Sequence, residues 1–350
     1  MPLLQIFLSF KTVAFSPVFC HNKYEIPRRI CRYAQETYRQ TDPAEFLRRN
    51  YILKTYIDLH IHSTASDGTL TPAQVVSSAM AAAGKKKDPV VIALTDHDTV
   101  AGIPEFMKEA EKYKDRLTAI PGVEISTDYH GVEIHILGYN IDIHNAELLE
   151  CLKVCRESRD GRNEKIIQKL QEQGFQITME DIRPADPNET IARPHIAKQL
   201  LKKNYVSSVK EAFDKYLAEG RCCYVERIMP TPQEAISLIK NSGGFAVLAH
   251  LMYYKKLDAA QKAELAAELK DAGLTGIETY YNTYTPVEED FVKSLAKQHS
   301  LLLTGGTDFH GQNKPHISLF KGQGEMEVPE DILPEFMEAV GTIKQTDAKK

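Results

Sequence analysis

Nine imidazole and carboxylate side chains stand out as groups able to do chemistry together: His60, His62, Asp67, His97, Glu124, His135, His250, Asp308 and His310. In Tyr56-Ile57-Asp58-Leu59-His60-Ile61-His62, strand alternation puts both histidines on one face, near enough to bind one cation through neutral nitrogens. Ser63, Ser66, Asp67 and Gly68 then turn the chain, leaving the pair at a strand's C-terminal mouth with the Asp67 carboxylate beside it. His97 lies in a polar cluster, Thr95-Asp96-His97-Asp98-Thr99, and Glu124 follows Pro121-Gly122. His250 follows Ala249, and Asp308 and His310 follow a double glycine. Imidazoles and carboxylates without thiolates favour zinc, manganese or iron in a hydrolytic site over a structural zinc knot. One ion accepts only about four to six donors, so this many ligands imply more than one cation.

Each residue has a plainer reading. A histidine after Ala249 would ordinarily pack in the core or cap a turn, and its company is what raises it. His135 lies inside a strand, where a hydrogen-bonded core histidine is common, and Glu133 shares its face and competes for the role. His130, His144, His299 and His316 lack such surroundings and read as surface or loop residues.

The elements that must position these groups alternate. Thr71-Pro72-Ala73-Gln74 caps a helix running to Gly84, and Val90-Val91-Ile92-Ala93-Leu94 reads as a buried strand. A helix over 102–114, a strand over 118–124 and a strand over 132–137 follow. The rhythm stops at 145–174, one long charged helix, with short helical segments over 194–201 and 209–217. It resumes with a capping box at Thr231-Pro232-Gln233-Glu234, a strand over 245–249 and a helix over 258–271. A strand over 276–280, a helix over 286–299 and a strand over 301–303 complete it. Alternation of this kind predicts a parallel sheet, and a parallel α/β barrel gathers its strand ends on one face, where all nine groups would meet. The expected organisation is an N-terminal extension over 1–53, a barrel over 54–144 and 229–325, a helical insertion over 145–228, and a C-terminal helix and tail over 326–350.

With 350 residues, 43% of them hydrophobic and 26% charged, the chain can bury one large core or two medium ones. A net charge of -5 supplies no basic field for long duplex nucleic acid, but allows a small phosphorylated ligand held by local arginines. Six cysteines, with no CxxC, read as reduced thiols in a cytoplasmic protein, and the adjacent Cys222 and Cys223 read as structural thiols. Lys11 interrupts the apolar opening, which falls short of the ~20 residues of a membrane span. Asp42-Pro43-Ala44-Glu45 opens a short helix through Arg49, and Arg28, Arg29, Arg32, Arg48 and Arg49 read as a solvated face. No feature of the sequence fixes an oligomeric state.

The sequence resembles the PHP superfamily, the polymerase and histidinol phosphatase domain. Its motifs stand here as His60-Ile61-His62, Thr95-Asp96-His97-Asp98, Pro121-Gly122-Val123-Glu124, Ala249-His250 and Asp308-Phe309-His310. Ser66-Asp67-Gly68-Thr69-Leu70 and the inserted Arg193-Pro194-His195-Ile196-Ala197 are most similar to stand-alone phosphoesterases of the 3',5'-nucleoside bisphosphate phosphatase and short-oligonucleotide exonuclease group. Leu251 departs from the proline that commonly follows Ala-His, which should alter the loop more than the ligation. The resemblance implies a distorted (β/α)7 barrel with a helical insertion and three divalent ions, manganese favoured over zinc or iron. By position, His60, His62, Glu124 and Asp308 would hold the first. Glu124 would bridge to a second, held with His135 and His250, and Asp67, His97 and His310 would hold the third. A hydroxide shared between two such cations would attack phosphorus in line.

For substrate, Arg193 can fork onto phosphate oxygens and His195 can add a donor or a general acid. Arg156, Arg159 and Arg162 recur every third residue, either as a solvated row or, at Arg159, as a substrate contact. Asp96 and Asp98 fit as partners that orient the ligands. The expected substrate is a 3',5'-nucleoside bisphosphate or the 5' end of a short oligonucleotide. A histidinol-phosphate phosphatase, which should lack the long insertion, and a non-catalytic polymerase-associated module are the competing readings.

Overall fold

The computed structural model describes residues 54–84, 87–182, 191, 193–324 and 326–346. Lys54 apart, these belong to one compact unit, Thr55–Lys350. The short helix expected from Asp42-Pro43-Ala44-Glu45 and the arginines around it lie outside the described residues.

Seven strands form one sheet in chain order: β1 (Tyr56–Ile61), β2 (Val90–Leu94), β3 (Leu117–Tyr129), β4 (Val132–Tyr139), β5 (Phe245–Leu248), β6 (Gly276–Tyr281) and β7 (Leu302–Gly306). The segment after β7 returns to β1, where the His62 amide donates to the Phe309 carbonyl at 2.9 Å, so the sheet curls into a nearly closed barrel. Gly306 permits this closure, since a β-carbon there would lie 2.4 Å from that of His60. The strands are crossed by α1 (Pro72–Ala82), α2 (Ile103–Ala110), α3 (Ala146–Glu172), α7 (Pro232–Asn241), α8 (Ala259–Asp271) and α9 (Pro286–His299). Between α3 and α7 come α4 (Met179–Ile182), α5 (Arg193–Lys202) and α6 (Val209–Ala212), and α10 (Leu333–Thr346) ends the described chain. The expected capping boxes at Thr71–Gln74 and Thr231–Glu234 form, each with a proline in the first helical turn.

The sheet is mixed, which corrects the parallel sheet expected from the β-α rhythm. β4 runs antiparallel to both β3 and β5, while every other pairing is parallel. The strand expected over 118–124 continues to Tyr129 and doubles back through His130 and Gly131, whose φ angles of 51° and 81° are those of a tight hairpin turn. Glu124 and His135 therefore sit within paired strands and not at strand ends, and reach the site because β3 and β4 cross the mouth.

Two apolar clusters build the barrel. One lies between strands and outer helices and includes Ile92, Leu94, Phe106, Ile125 and Ile136. The other joins Ile57, Leu59, Val91, Ala93, Ile120, Leu137, Tyr139 and Val247, an array from consecutive strands that only the inner face of a curled sheet can bring together. Phe336 of α10 is fully buried against this inner cluster, so the C-terminal helix closes the end of the barrel away from the site. The insertion has its own core around Ile166, Leu170, Ile196, Leu200 and Leu217. α3 serves both: Leu148 and Leu152 pack on the barrel and Ile166 and Ile167 in the insertion, so one helix contributes to both cores.

Candidate metal centre

The inner wall of β1 changes from apolar to polar where its pairing with β2 becomes irregular, between Asp58 and Ile61. Leu59 belongs to the inner apolar cluster, and His60 and His62 open onto a cavity of converging donors. Four overlapping groups have ligand atoms within 4.8 Å of one another: His60, His62 and Asp308; His60, Glu124 and His250; His97, Glu124 and His135; and His62, Asp67, His97 and His310. All nine residues singled out from the sequence are brought together. Asp96, Asp98 and Glu133 fall in none of the four groups.

Glu124 is the centre of the arrangement. Its Oε1 lies 2.9 Å from His135 Nδ1 and 2.9 Å from His250 Nε2, while its Oε2 lies 3.2 Å from His62 Nε2 and 3.0 Å from His97 Nδ1. Asp308 Oδ1 sits 3.3 Å from His62 Nε2, and Asp67 Oδ1 3.2 Å from His310 Nε2. Burial alone would raise the Glu124 carboxyl, but His97, His60 and His135 hold it well below the carboxylate range. Burial likewise opposes charge on His62, yet the Asp308 and Glu124 carboxylates close to its Nε2 raise it to about 9. His97 goes the other way, down to about 4, because burial outweighs its acidic neighbours.

A cation fits these donors better than protons do. His60 Nε2, both nitrogens of His62, His97 Nδ1, Glu124 Oε2 and His250 Nδ1 are buried without a hydrogen-bond partner. Buried polar atoms are normally satisfied, and orphans concentrated at one point mark the place of an ion. The floor, His60 and His62, is fully buried, whereas the side chains of Asp67, His97 and His135 are 18%, 13% and 18% exposed, so the centre opens to solvent on their side. A catalytic ion needs such an open position.

Buried partners fix the ligands. Glu278 on β6 accepts from His60 Nδ1 at 3.0 Å and from the His250 amide at 2.8 Å, a pairing that leaves His60 Nε2 with its lone pair toward the cavity. His250 takes φ 25° in this turn, and Asp98 and Asp308 take 53° and 52°, so left-handed backbone clusters at the site. The Tyr281 hydroxyl and the Lys314 ammonium both donate to Asp308 Oδ2, at 2.7 and 2.6 Å. Asp96 accepts from the Ser63 amide at 2.7 Å and so holds the turn that carries Asp67. Sequence reasoning missed Glu278, Tyr281 and Lys314. A carboxylate in a wholly buried strand, Gly276-Ile277-Glu278-Thr279-Tyr280, was the available signal for the first.

Beside the centre lies a cluster of arginines. Arg159 pairs with Asp98 and donates to Ser126 at 3.1 Å, while Arg227 lies 3.0 Å and Arg193 3.3 Å from the carboxylate oxygens of Glu133. Glu133 in turn stands 3.6 Å from His135 Nε2. Arg159 and Arg162 are only 5% and 6% exposed, which corrects the solvated row. Among the described residues Arg162 forms no salt bridge, though the Glu133 charge acts on it; its guanidinium donates to Asn163 Oδ1 at 2.9 Å. Burial, followed by Arg159, Arg227 and Arg193, lowers it to about 9. Arg193 and His195 begin α5. Further along that helix Lys198 donates to Asn313 Oδ1 at 3.1 Å, and Asn313 Nδ2 donates to the Asp67 carbonyl at 2.9 Å. The insertion is thus tied to loops that carry candidate ligands at both Glu133 and Asp67.

Among the described residues no helix is long and apolar enough to cross a membrane. Cys151, Cys155, Cys222 and Cys223 are free thiols, none within the donor groups.

The profile of the PHP domain matches residues 58–278. The chain is 37% identical over 262 residues to the 5'-3' exoribonuclease Rnm of Escherichia coli, covering 75% of this chain and 87% of that protein. It is 32% identical over 255 residues to the 3',5'-nucleoside bisphosphate phosphatase of Chromobacterium violaceum, with 73% and 87% covered. Among solved structures, that of a proposed metal-dependent phosphoesterase of Bifidobacterium adolescentis superposes with a TM-score of 0.67 at 30% identity, covering 82% of this chain and 96% of that one.

Proposed function

The chain belongs to the PHP domain family and is a metal-dependent hydrolase of phosphate esters, and from that premise we propose that it acts on 3',5'-nucleoside bisphosphates or on the 5' ends of short oligonucleotides. One observation carries this reading. Beside the orphaned donors of the metal centre, Arg159, Arg162, Arg193 and Arg227 gather around Asp98 and Glu133, so among the described residues cationic groups outnumber carboxylates and the site offers a place for cations beside a place for an anion.

We assign His60, His62, Glu124 and Asp308 to one ion, Glu124, His135 and His250 to a second, and Asp67, His97 and His310 to a third, with manganese favoured over zinc or iron. When bound, such ions supply Lewis acidity and lower the pKa of water. The protein does the rest. Glu278 fixes the His60 tautomer, and the exposed edge formed by Asp67, His97 and His135 admits the ester. Arg193 grips a second phosphate with its planar fork, and Arg162 and Arg227 supply the charge that makes the pocket anionophilic. His195, half-buried on α5, is the candidate to protonate the leaving oxygen.

The experiment is a phosphate-release assay with adenosine 3',5'-bisphosphate, a short 5'-phosphorylated RNA and histidinol phosphate, each with manganese, zinc or ferrous ion. Faster turnover of the first two supports the reading. Preference for histidinol phosphate would replace it, and a chain purified without chelator that carries no metal and cleaves none of them would make it a binding module.

A further inference from the structure

We propose that Tyr253 is a stacking platform for the base of the nucleotide whose phosphate enters the metal centre, an inference that rests on the nucleotide reading above. Tyr253 is 64% exposed and is the only exposed tyrosine or phenylalanine among the described residues. A single exposed tyrosine is ordinary on a protein surface. This one differs in where it stands and in how firmly the loop beneath it is held.

Its ring centroid lies 5.7 Å from that of His250, edge to face, within the length of one nucleoside from the donors around Glu124. His250 itself is 5% exposed, and Tyr254 and Tyr281 flank it as buried rings at 5.5 Å each. Tyr253 is the most exposed ring of this set. The left-handed turn at His250 directs the chain into a short 3-10 helix, Leu251–Tyr253, with Leu251 wholly buried beneath it. The Tyr253 amide donates to the His250 carbonyl at 2.8 Å, and the Met252 amide to the Tyr284 hydroxyl at 3.1 Å. The Tyr254 hydroxyl, 2.8 Å from the His135 amide, ties the next residue to a second candidate ligand. A little further along the loop, Lys256 pairs with Glu219 of the insertion. The ring therefore stands on a braced loop where barrel and insertion meet.

An aromatic face of this kind takes any base, because every base has a π-face, and stacking adds about 1–3 kcal/mol per base. It confers preference for nucleotides over base-free sugar phosphates, with little distinction among bases.

The test is isothermal titration of the full chain with AMP and with ribose 5-phosphate, for wild type, Tyr253→Ala and Tyr253→Phe. Wild type should bind AMP at least about fivefold more tightly than ribose 5-phosphate. Tyr253→Ala should lose about tenfold in AMP affinity and none for ribose 5-phosphate, and Tyr253→Phe should keep both. Equal wild-type affinities, no binding of either ligand, or a loss in Tyr253→Ala that is shared by both ligands or seen with neither would overturn the proposal. The outcome is separable from catalysis. Base-dependent binding without phosphate release would keep the role of Tyr253 and remove the hydrolytic reading of the substrate.

Discussion

The metal centre and the arginine cluster beside it are both dense in buried charge, yet they lack opposite things. Around Glu124, Asp67 and Asp308 imidazole nitrogens and carboxylate oxygens converge, five of the nitrogens and Glu124 Oε2 are buried with no hydrogen-bond partner, and what is missing is a cation. Around Asp98 and Glu133, Arg159, Arg162, Arg193 and Arg227 crowd two carboxylates, so among the described residues the excess charge is positive, and the proposed occupant is an anion. The first region is built on strands of one barrel, the second on a helix and loops of an insertion. The difference separates two tasks that a phosphoesterase must perform, activating the reacting group and holding the substrate. It also means that damage to each region should have a different kinetic signature.

The largest effects should come from the cation side. His62→Ala or Asp308→Ala should abolish measurable turnover, a loss of at least about 10²-fold, while circular dichroism and the elution volume stay those of the wild type. Retained activity in either variant would break the comparison. A smaller loss is expected one layer back. Glu278→Gln keeps the shape but weakens the hold on His60 and on the His250 amide, and should cost about 10–100-fold in metal affinity, read by titration into chelator-stripped protein.

The anion side should respond in KM. Arg162→Met removes a buried guanidinium that no described carboxylate neutralises, and should raise KM for a bisphosphate by about tenfold with kcat nearly unchanged. The same variant should melt no lower than wild type, since an apolar side chain replaces a buried charge with no salt-bridge partner among the described residues. A drop in thermal midpoint together with an unchanged KM would show that Arg162 is structural and the two regions are not complementary.

The smallest effect is a pH dependence in chelator-stripped protein. Burial opposes charge on both residues, but the neighbouring Asp308 and Glu124 carboxylates raise His62 to about 9, and the Glu124 charge raises His135 to about 10, each from an ordinary 6.5. Raised folded-state values give stability that is fully present below about pH 6.5 and lost as pH climbs through 9 to 10. Metal needs the neutral imidazoles, so its affinity should rise over the same interval. Calorimetry with and without added manganese should show the metal's stabilisation growing from pH 7 to pH 9, and a constant increment would contradict the protonation states assigned to the centre.

Much of this was legible in the sequence, for reasons that differ from part to part. The helices around the barrel announce themselves through local caps, as at Thr71 and Thr231, where side chain and backbone three residues apart satisfy each other. The candidate ligands were visible because residue type and short spacing select them. The hairpin between β3 and β4 was not, because Pro121 and Gly122 look like a strand end and the continuation through Tyr129 carries no break signal before Gly131. That single turn makes the sheet mixed and carries Glu124 and His135 into the centre from mid-strand. Glu278 escaped because its meaning depends on His60, 218 positions away. Arg159 and Arg162 looked solvated because a three-residue spacing says which side chains share a face, but not whether an insertion folds over it.

The most direct test of the whole account is anomalous diffraction from crystals grown with manganese. It should place strong peaks between His60, His62, Glu124 and Asp308, and further peaks at His135 with His250 and at Asp67 with His97 and His310. No peaks among these side chains, in a chain that still releases phosphate from its substrate, would contradict it.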